Sequence, residues 1–600
     1  MVLQTIHVLL REYELYRLIL TPFLGAYLQV TFPVSDFGRG KRVCFREGTW
    51  SQSIGKDGFP ILLGLTRRVT QDKMPINRFG MHIRVESDIS AEVDNDKDIV
   101  CLVYPASTRV ASLRIATSLI SPEQAAVSIQ RELDAKKGFS FAVNEAKSVW
   151  NKLLKRADVV VAGELTGRTS RYLTVFYSGL TRALLFPRRL DEVNEHGERI
   201  HYSPYDPSGG THPGILVTDN GFWDTFRTVY PLLSLIYPDH LGDIVQGWLN
   251  AYKEGGWLPS WASPGYRNCM VGTFADVVVA DAIVKNVKKF DLSLARDALM
   301  KDSFTAPPTL SGGAAGKDGL DVYSRLGFIP DSSGESVSRT LDFGFADFSA
   351  SKAFRKLASL PEFKLSAPDL LSKASILESR ATKASESLFD SSTGLMVPRN
   401  DNRQKSMNFN PITWGNGFTE GNSWHHSFPP YALDTLARLH GGKQNLLAKL
   451  EEMLSSASGF NPGSYGQQIH EMTEFRAGAM GQYGHNNQPC HHILYLFALL
   501  GDRGSTEFNV RQVMDRAYGA DFFAGDEDNG EQGAWFVLSA LGLFVVTPGT
   551  ADYVLGSPIF KHVMIDRGDG KKLHIVALGT DETRVRVRDV YFSGSKVHGE

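Results

Sequence analysis

Four carboxylic acids fall within six positions of the stretch GDEDNGEQGAWFVLSALGLF, residues 525–544: Asp526, Glu527, Asp528 and Glu531. The stretch then turns apolar. Acids ahead of a helix complement its dipole, each by roughly 0.3–1 kcal/mol, and a single acid serves that purpose. Neighbouring carboxylates repel one another, so a cluster calls for a base's task, a cation or hydrogen bonds. A further acid, Glu420, stands alone in GFTEGNSWHHSFPPY, residues 417–431, among Phe418, Trp424 and Phe428. Desolvation in an aromatic pocket disfavours the charged carboxylate, so such a group keeps its proton near neutral pH and can donate it. One protonated and one ionised carboxyl group are the simplest equipment for hydrolysing a glycosidic bond.

Two more loops carry unusual residues. In VTDNGFWDTFRTVYPLL, residues 217–233, Asp219, Asp224 and Arg227 crowd around Phe222 and Trp223. They read either as an Asn220-Gly221 turn with Asp224 supporting a first helical turn, or as an aromatic wall whose carboxylate and guanidinium fix hydroxyl groups. In GQYGHNNQPCHHILYLF, residues 481–497, His485, Asn486, Asn487 and Gln488 precede a helix that Pro489 could start. His491 and His492 would stand about 100° apart on a helix and cannot share a metal the way an HxxxH pair does, which disfavours zinc. Consecutive amides suit a hard, oxygen-seeking cation such as calcium; a capping and turn loop is the plainer alternative.

The elements that must position these loops follow from periodicity. AYLQVTFP, FGMHIRVES, DIVCLVYPA and ASLRIATS are short and rich in Val, Ile and aromatic residues, with EVDNDKD read as one of the polar turns between them. A sandwich of antiparallel strands is the economical arrangement. From the Ser121 cap of SPEQ the period becomes helical. Segments 122–136, 141–155, 168–184, 223–236, 239–254, 272–288, 291–301, 345–358, 367–388, 428–440, 443–455, 488–500, 508–518 and 530–541 are predicted helices. Helices without interleaved strands pack on helices, and the lack of a fixed-period repeat favours a closed toroid of hairpins over a solenoid. The tail returns to β in YVLGSPIFKHVMID, KKLHIVALG and TRVRVRDVYF. The expected domains are a partial β-sandwich over 1–121, an (α/α)6 six-hairpin toroid over 122–545 and a C-terminal β segment over 546–600 that packs on the barrel. Loops at one end of such hairpins line a funnel, where chemistry concentrates.

Composition bounds the partners. A formal net charge of -2 over 600 residues provides no global field for nucleic acid or an anionic membrane. Aromatic residues make up 11%, and their flat faces suit sugar rings as well as cores. The longest apolar runs, such as ILYLFALL at 493–500, fall far short of the roughly 18 residues a membrane span requires. Cys44, Cys101, Cys269 and Cys490 form no CxxC pair, so they read as small buried hydrophobes. The opening MVLQTIHVLLREYELYRL lacks a basic leader region, and its apolar pattern is broken by Arg11, Glu12 and Glu14, so no signal peptide is expected.

Together these loops resemble glycoside hydrolase family 92, the calcium-dependent exo-α-mannosidases. The resemblance runs from FYSGLTRALLFPR through TDNGFWDTFRTVYPLLSLIYPD, GGWLPSWASPG, MVGTFADVVVADAIVKN, FTEGNSW, GHNNQPCHH and GDEDNGEQGAWFVLSALGLF to TPGTADYVLGSPIF. It implies a β-sandwich followed by an (α/α)6 barrel, with the active site between them, cleaving terminal α-linked mannose, α-1,2 foremost, with inversion. It makes Glu420 of the EGN motif the general acid and Asp528 the general base, with Asp526 a second carboxylate beside it. Inversion implies a separation of about 6.5–9.5 Å between acid and base. Asn487 and Gln488, ahead of Pro489, would hold Ca²⁺, with Asn486 a further candidate. Asp224 and Arg227 would bind the terminal sugar, with Trp223 in its wall; Trp424 and His485 complete the expected substrate contacts. The partners implied are mannose-containing glycans or glycoproteins, met by a monomer without a membrane span.

The chain departs from the family pattern at its ends. It reads as truncated at the N-terminus, where family members carry a Gly- and Pro-rich segment that lends residues to the active site, and slightly at the C-terminus. The family is mostly exported or periplasmic. Three readings are therefore carried: an active mannosidase, a carbohydrate-binding homologue impaired by the missing segment, and another toroidal glycosidase of trehalase or glucoamylase type.

Overall fold

The computed structural model describes residues 8–9, 15–20, 25–32, 41–46, 48–66, 80–96, 99–133, 137–160, 167–309, 313–407, 409–579 and 585–597. The chain forms two compact units, Met1–Leu153 with Arg189–Thr218, and Leu154–Arg188 with Asp219–Glu600.

Among the described residues the first unit holds two large antiparallel sheets, beside a small one of Glu192–Val193, Arg199–Tyr202 and Thr211–Pro213. One large sheet orders its strands Val8–Leu9, Lys41–Arg46, Ile99–Tyr104, Glu92–Asp96; the other runs Leu15–Leu20, Gly25–Thr31, Val110–Ser118, Met81–Ser87, Pro60–Thr66, Thr49–Ile54. Alternate residues of both sheets, among them Val43, Phe45, Val100 and Leu102 from one and Leu28, Val30, Ile83, Val85 and Leu113 from the other, share one buried core. That is the expected sandwich, built on a side-chain period of two. EVDNDKD is not simply a turn: Glu92–Asp96 pairs with Ile99–Tyr104 as an edge strand, because one edge needs only backbone partners and tolerates acids facing water. The cysteine expectation holds for the buried Cys490 and is corrected for Cys44 and Cys101. Cys44 and Cys101 are ladder partners whose neighbours point into the core, so both turn to the opposite face and form a disulfide; Cys269 and Cys490 are free thiols.

The second unit is helical. Six pairs of helices can be followed among the described residues: Val229–Ile236 with Pro238–Gly255, Phe274–Val284 with Leu292–Phe304, Ser336–Ala358 with Ala367–Leu388, Leu433–Leu439 with Lys443–Ser455, Ile493–Leu499 with Arg503–Arg516, and Glu531–Leu541 with Gly167–Ala183. The last pair joins the end of the helical region to its start. It crosses so closely that a Cβ on Gly533 would lie 2.7 Å from the Gly179 Cα, and one on Gly179 2.8 Å from the Gly533 carbonyl oxygen. Only paired glycines allow that approach. Val229–Ile236 and Glu531–Leu541 are buried along their full length, whereas Ala367–Leu388 buries a single stripe, so a shielded layer of helices is wrapped by an amphipathic one. This is the expected toroid of hairpins.

Several predicted helices differ from their periodicity: 272–288 is helical over Phe274–Val284, 428–440 only over Leu433–Leu439 after a 3-10 turn at Pro430–Ala432, and 345–358 begins earlier, at Ser336. Segment 223–236 splits into Phe222–Thr225 and Val229–Ile236, since the Pro231 ring would clash with the Arg227 carbonyl in a continuous helix. Segment 488–500 begins as a 3-10 turn, Gln488–Cys490, and becomes α-helical only at Ile493. At the C-terminus Ala157–Val160, His562–Asp566 and Lys572–Val576 form one sheet; TRVRVRDVYF is strand only from Val590, its residues 585–589 being irregular. No helix among the described residues is long and apolar enough to cross a membrane.

Candidate active site

Apart from Val217 and Thr218, which end the first unit, the residues of all four chemistry-bearing loops belong to the second unit. Glu420 and Asp528 adopt left-handed backbone conformations, φ 45° and 50°, which acidic residues seldom take and which fixed surroundings must hold. The Glu420 amide donates to the Tyr465 hydroxyl at 2.9 Å. Asp528 sits between Glu527, whose carboxylate caps the Gly533 N–H at 3.0 Å, and Asn529, whose side-chain oxygen accepts the Gly221 N–H at 2.9 Å. Thr228 donates to the Glu531 carbonyl at 2.9 Å, a second tie between the acidic loop and the loop of Asp224.

The loop between the two carboxylates carries the decisive contacts. Asn487 donates its side-chain amide to Glu420 Oε2 at 2.9 Å, and Gln488, the next residue, donates its own to Asp528 Oδ2. Consecutive amides thus hold one carboxylate each. Burial pushes Glu420 up to about 7; Asn487 pulls it back, and the charges of Glu471 and Asp528 raise it further. Burial likewise pushes Asp528 up to about 6, with Gln488 opposing and Glu531 and Asp526 adding to the rise. Asp224 is buried, its carboxyl held well above the usual range by desolvation and by the charges of Asp528, Glu420 and Glu531. Arg227 lies over the rings of Trp223 and Phe226 at 5.8 and 4.7 Å, in the field of Asp342, Glu531 and Asp224. Two carboxyl groups with raised and staggered affinities for protons, backed by a buried acid and a guanidinium, can donate one proton and accept another.

A family model described as "Glycosyl hydrolase family 92 catalytic domain" matches residues 124–600. The chain belongs to glycosyl hydrolase family 92. As a family member it is a glycoside hydrolase. An inverting mannosidase of family GH92 from Bacteroides thetaiotaomicron is 30% identical and superposes with a TM-score of 0.84 over 99% of this chain and 81% of its own. A family GH92 alpha-mannosidase from the same bacterium, in complex with mannoimidazole, is 21% identical with a TM-score of 0.77 over 96% and 75% of the two chains, and shares the fold. A search of curated proteins finds no match.

Four expected site residues make their described contacts with neighbours other than Glu420 and Asp528. His485 is buried with both ring nitrogens taken, Nδ1 by the Tyr483 hydroxyl at 2.7 Å and Nε2 by the Tyr518 hydroxyl at 2.8 Å, and its ring packs on Trp535. With both nitrogens engaged, the ring has none left for a sugar. The Trp424 ring is buried beneath the Lys449 ammonium at 4.4 Å, a packing position on the helix Lys443–Ser455. Asn486 points its amide at the Glu471 carbonyl at 3.0 Å and at Glu474, toward the helix His470–Gly478. Asp526 is largely exposed and meets His470 Nε2 at 3.3 Å, so its link to Asp528 is electrostatic.

Residues the sequence reading left without a role complete the picture. Glu531 is fully buried against His491 Nδ1 at 2.6 Å. Tyr465 steadies the Glu420 backbone, and the His470-Glu471 pair sets charge beside it. Glu531 was visible as the fourth acid of its cluster, whereas Tyr465 and His470 are brought in only by folding.

Proposed function

We propose that this chain is an exo-acting α-mannosidase that removes terminal α-linked mannose, α-1,2-linked above all, from glycans and glycoproteins by a calcium-assisted inverting hydrolysis, acting as a monomer. The observation that carries this reading is the Asn487-Gln488 pair, which grips Glu420 with one amide and Asp528 with the next. The relation to an inverting mannosidase at 30% identity supports the sugar and the stereochemistry.

Glu420, with its affinity for a proton raised to about 7, enters the reaction protonated and delivers that proton to the departing glycosidic oxygen. Asp528, which releases its proton at about 6, is ionised at the same pH and takes a proton from the attacking water. Inversion follows because the two groups act on opposite faces of the sugar in one step. Asp224 and Arg227 fix hydroxyl groups of the terminal mannose against Trp223, and Asp526 adds negative charge that keeps Asp528 basic.

The donors present suit calcium. Gln488 is wholly buried, and its side-chain oxygen has no hydrogen-bond partner among the described residues. Asn487 adds an amide oxygen that accepts only the Gln488 N–H among the bonds described, at 2.8 Å. Buried neutral oxygens beside carboxylates fit a hard cation. When bound there, calcium supplies positive charge for vicinal hydroxyls of mannose and for a water oxygen.

The test is release of mannose from an α-1,2-linked mannobiose with calcium present and after EDTA. Turnover that needs calcium and is inhibited by mannose supports the reading. Binding of mannose without turnover would favour the impaired homologue, and inhibition by glucose but not mannose another toroidal glycosidase.

A further inference from the structure

A cavity of about 530 Å³ opens beside the acid loop. Its size falls within the roughly 300–1,000 Å³ of small-ligand pockets. Gly415, Gly417 and Phe418 line it, so one wall is the loop that carries Glu420. Tyr465 lines it too, and the same hydroxyl accepts the Glu420 N–H at 2.9 Å. A general acid must stand against the glycosidic oxygen, so whatever that oxygen carries on its leaving side runs along the acid's side of the site.

The lining is chemically specific. Glu335 and Asn416 hold left-handed conformations, φ 56° and 49°, uncommon outside glycine. The Asn416 N–H donates to Ser464 Oγ at 2.9 Å, and a Cβ on Gly415 would lie 2.0 Å from that oxygen, so the wall stays bare there. Ser336 is fully buried, its hydroxyl turned toward Gly417 and without a hydrogen-bond partner among the described residues. Carboxylate, amide and hydroxyl groups around an aromatic ring match the hydroxyls and flat apolar face of a pyranose. No Lys, Arg or His is among the described residues that line the cavity, while Asp331 and Glu335 are, which favours a neutral polyol over a phosphate or other anion.

We infer that this cavity is a leaving-group subsite for the sugar units beyond the first on the reducing side of the scissile bond, so that the enzyme selects oligosaccharides over simple mannosides. The inference rests on the mannosidase reading above.

It is tested with the double variant Glu335→Gly/Asn416→Gly, in which both side chains go but glycine accepts both backbone conformations, and with Asn416→Gly alone. The quantity read is the kcat/KM for a linear mannotetraose divided by that for p-nitrophenyl α-mannoside. The double variant should lower this ratio at least tenfold, through KM, with the single variant between it and the wild type and melting temperatures unchanged. A ratio within twofold of wild type overturns the subsite, including where both activities fall together, as a structural role would have it. Should the wild type hydrolyse neither substrate, the mannosidase reading fails on its own, and calorimetric binding of the intact mannotetraose decides the cavity. Binding at least tenfold weaker in the double variant supports it, and equal or absent binding overturns it.

Discussion

Gln488 hands its side-chain amide to Asp528, 40 residues further along the chain, while Asn487 immediately before it serves Glu420, 67 residues back. Two carboxylates are therefore referenced to one rigid dipeptide between Gly484 and Pro489, and a shift of that loop moves both. Replacing Glu420 by Gln, or Asp528 by Asn, keeps the shape and the hydrogen-bonding neighbours and removes only the proton chemistry. Each variant should lose about 10²–10⁴-fold in kcat with its melting temperature preserved, as steady-state kinetics and calorimetry would report. Wild-type turnover in either variant removes the role assigned to that residue.

The pH profile of kcat/KM should be a narrow bell. Activity requires Asp528 ionised, hence pH above about 6, and Glu420 protonated, hence pH below about 7. The two sites interact, so the limbs belong to the pair. A maximum between pH 6 and 7 is expected; a flat profile from pH 5 to 8 would contradict the assignment.

Stability should respond to pH for a separate reason. Glu192, Asp342, Glu420 and Glu527 are raised to about 7 by burial, so the folded protein holds protons that the unfolded chain has released, and stability is lost as pH climbs through 7. His425, His426 and His492 are depressed to about 3, 4 and 3, again by burial, so the unfolded chain binds protons first and stability is lost as pH falls. Between pH 4.5 and 6.5 the two slopes oppose each other. The melting temperature should hold a plateau there and decline from pH 6.5 to 8; a rise over that interval would show the carboxyl groups to be ionised at no cost.

Closure of the helical ring depends on the Gly179–Gly533 crossing. Gly533→Ala inserts a methyl group at 2.7 Å from the Gly179 Cα and should cost about 1–3 kcal/mol, read as a lowered melting temperature. An unchanged value would mean that the helices can part without loss.

Much of this site was legible in the sequence because each loop keeps its chemistry contiguous. Phe418 and Glu420 stand close together in one loop, and the acids at 526–528 are consecutive in another. What was not legible depends on partners far along the chain. Whether the His485 ring is free for a sugar is decided by Tyr518, 33 residues on, and the Cys44–Cys101 bond by a strand register that spans 57 residues. Trp424 reads like a sugar platform until Lys449 is found above it. The toroid was legible because a helical period sustained over many segments without strands allows few architectures, whereas Glu92–Asp96 escaped because an edge strand owes its conformation to backbone pairing and not to side-chain pattern.

The central claim, an acid and a base acting on opposite faces of a terminal mannoside, is tested most directly by following the anomer released from an α-mannoside by proton NMR in the presence of calcium. The account predicts β-mannose as the first product, appearing before mutarotation and lost in Glu420→Gln. Initial α-mannose, or no mannose at all from the wild-type protein, would contradict it.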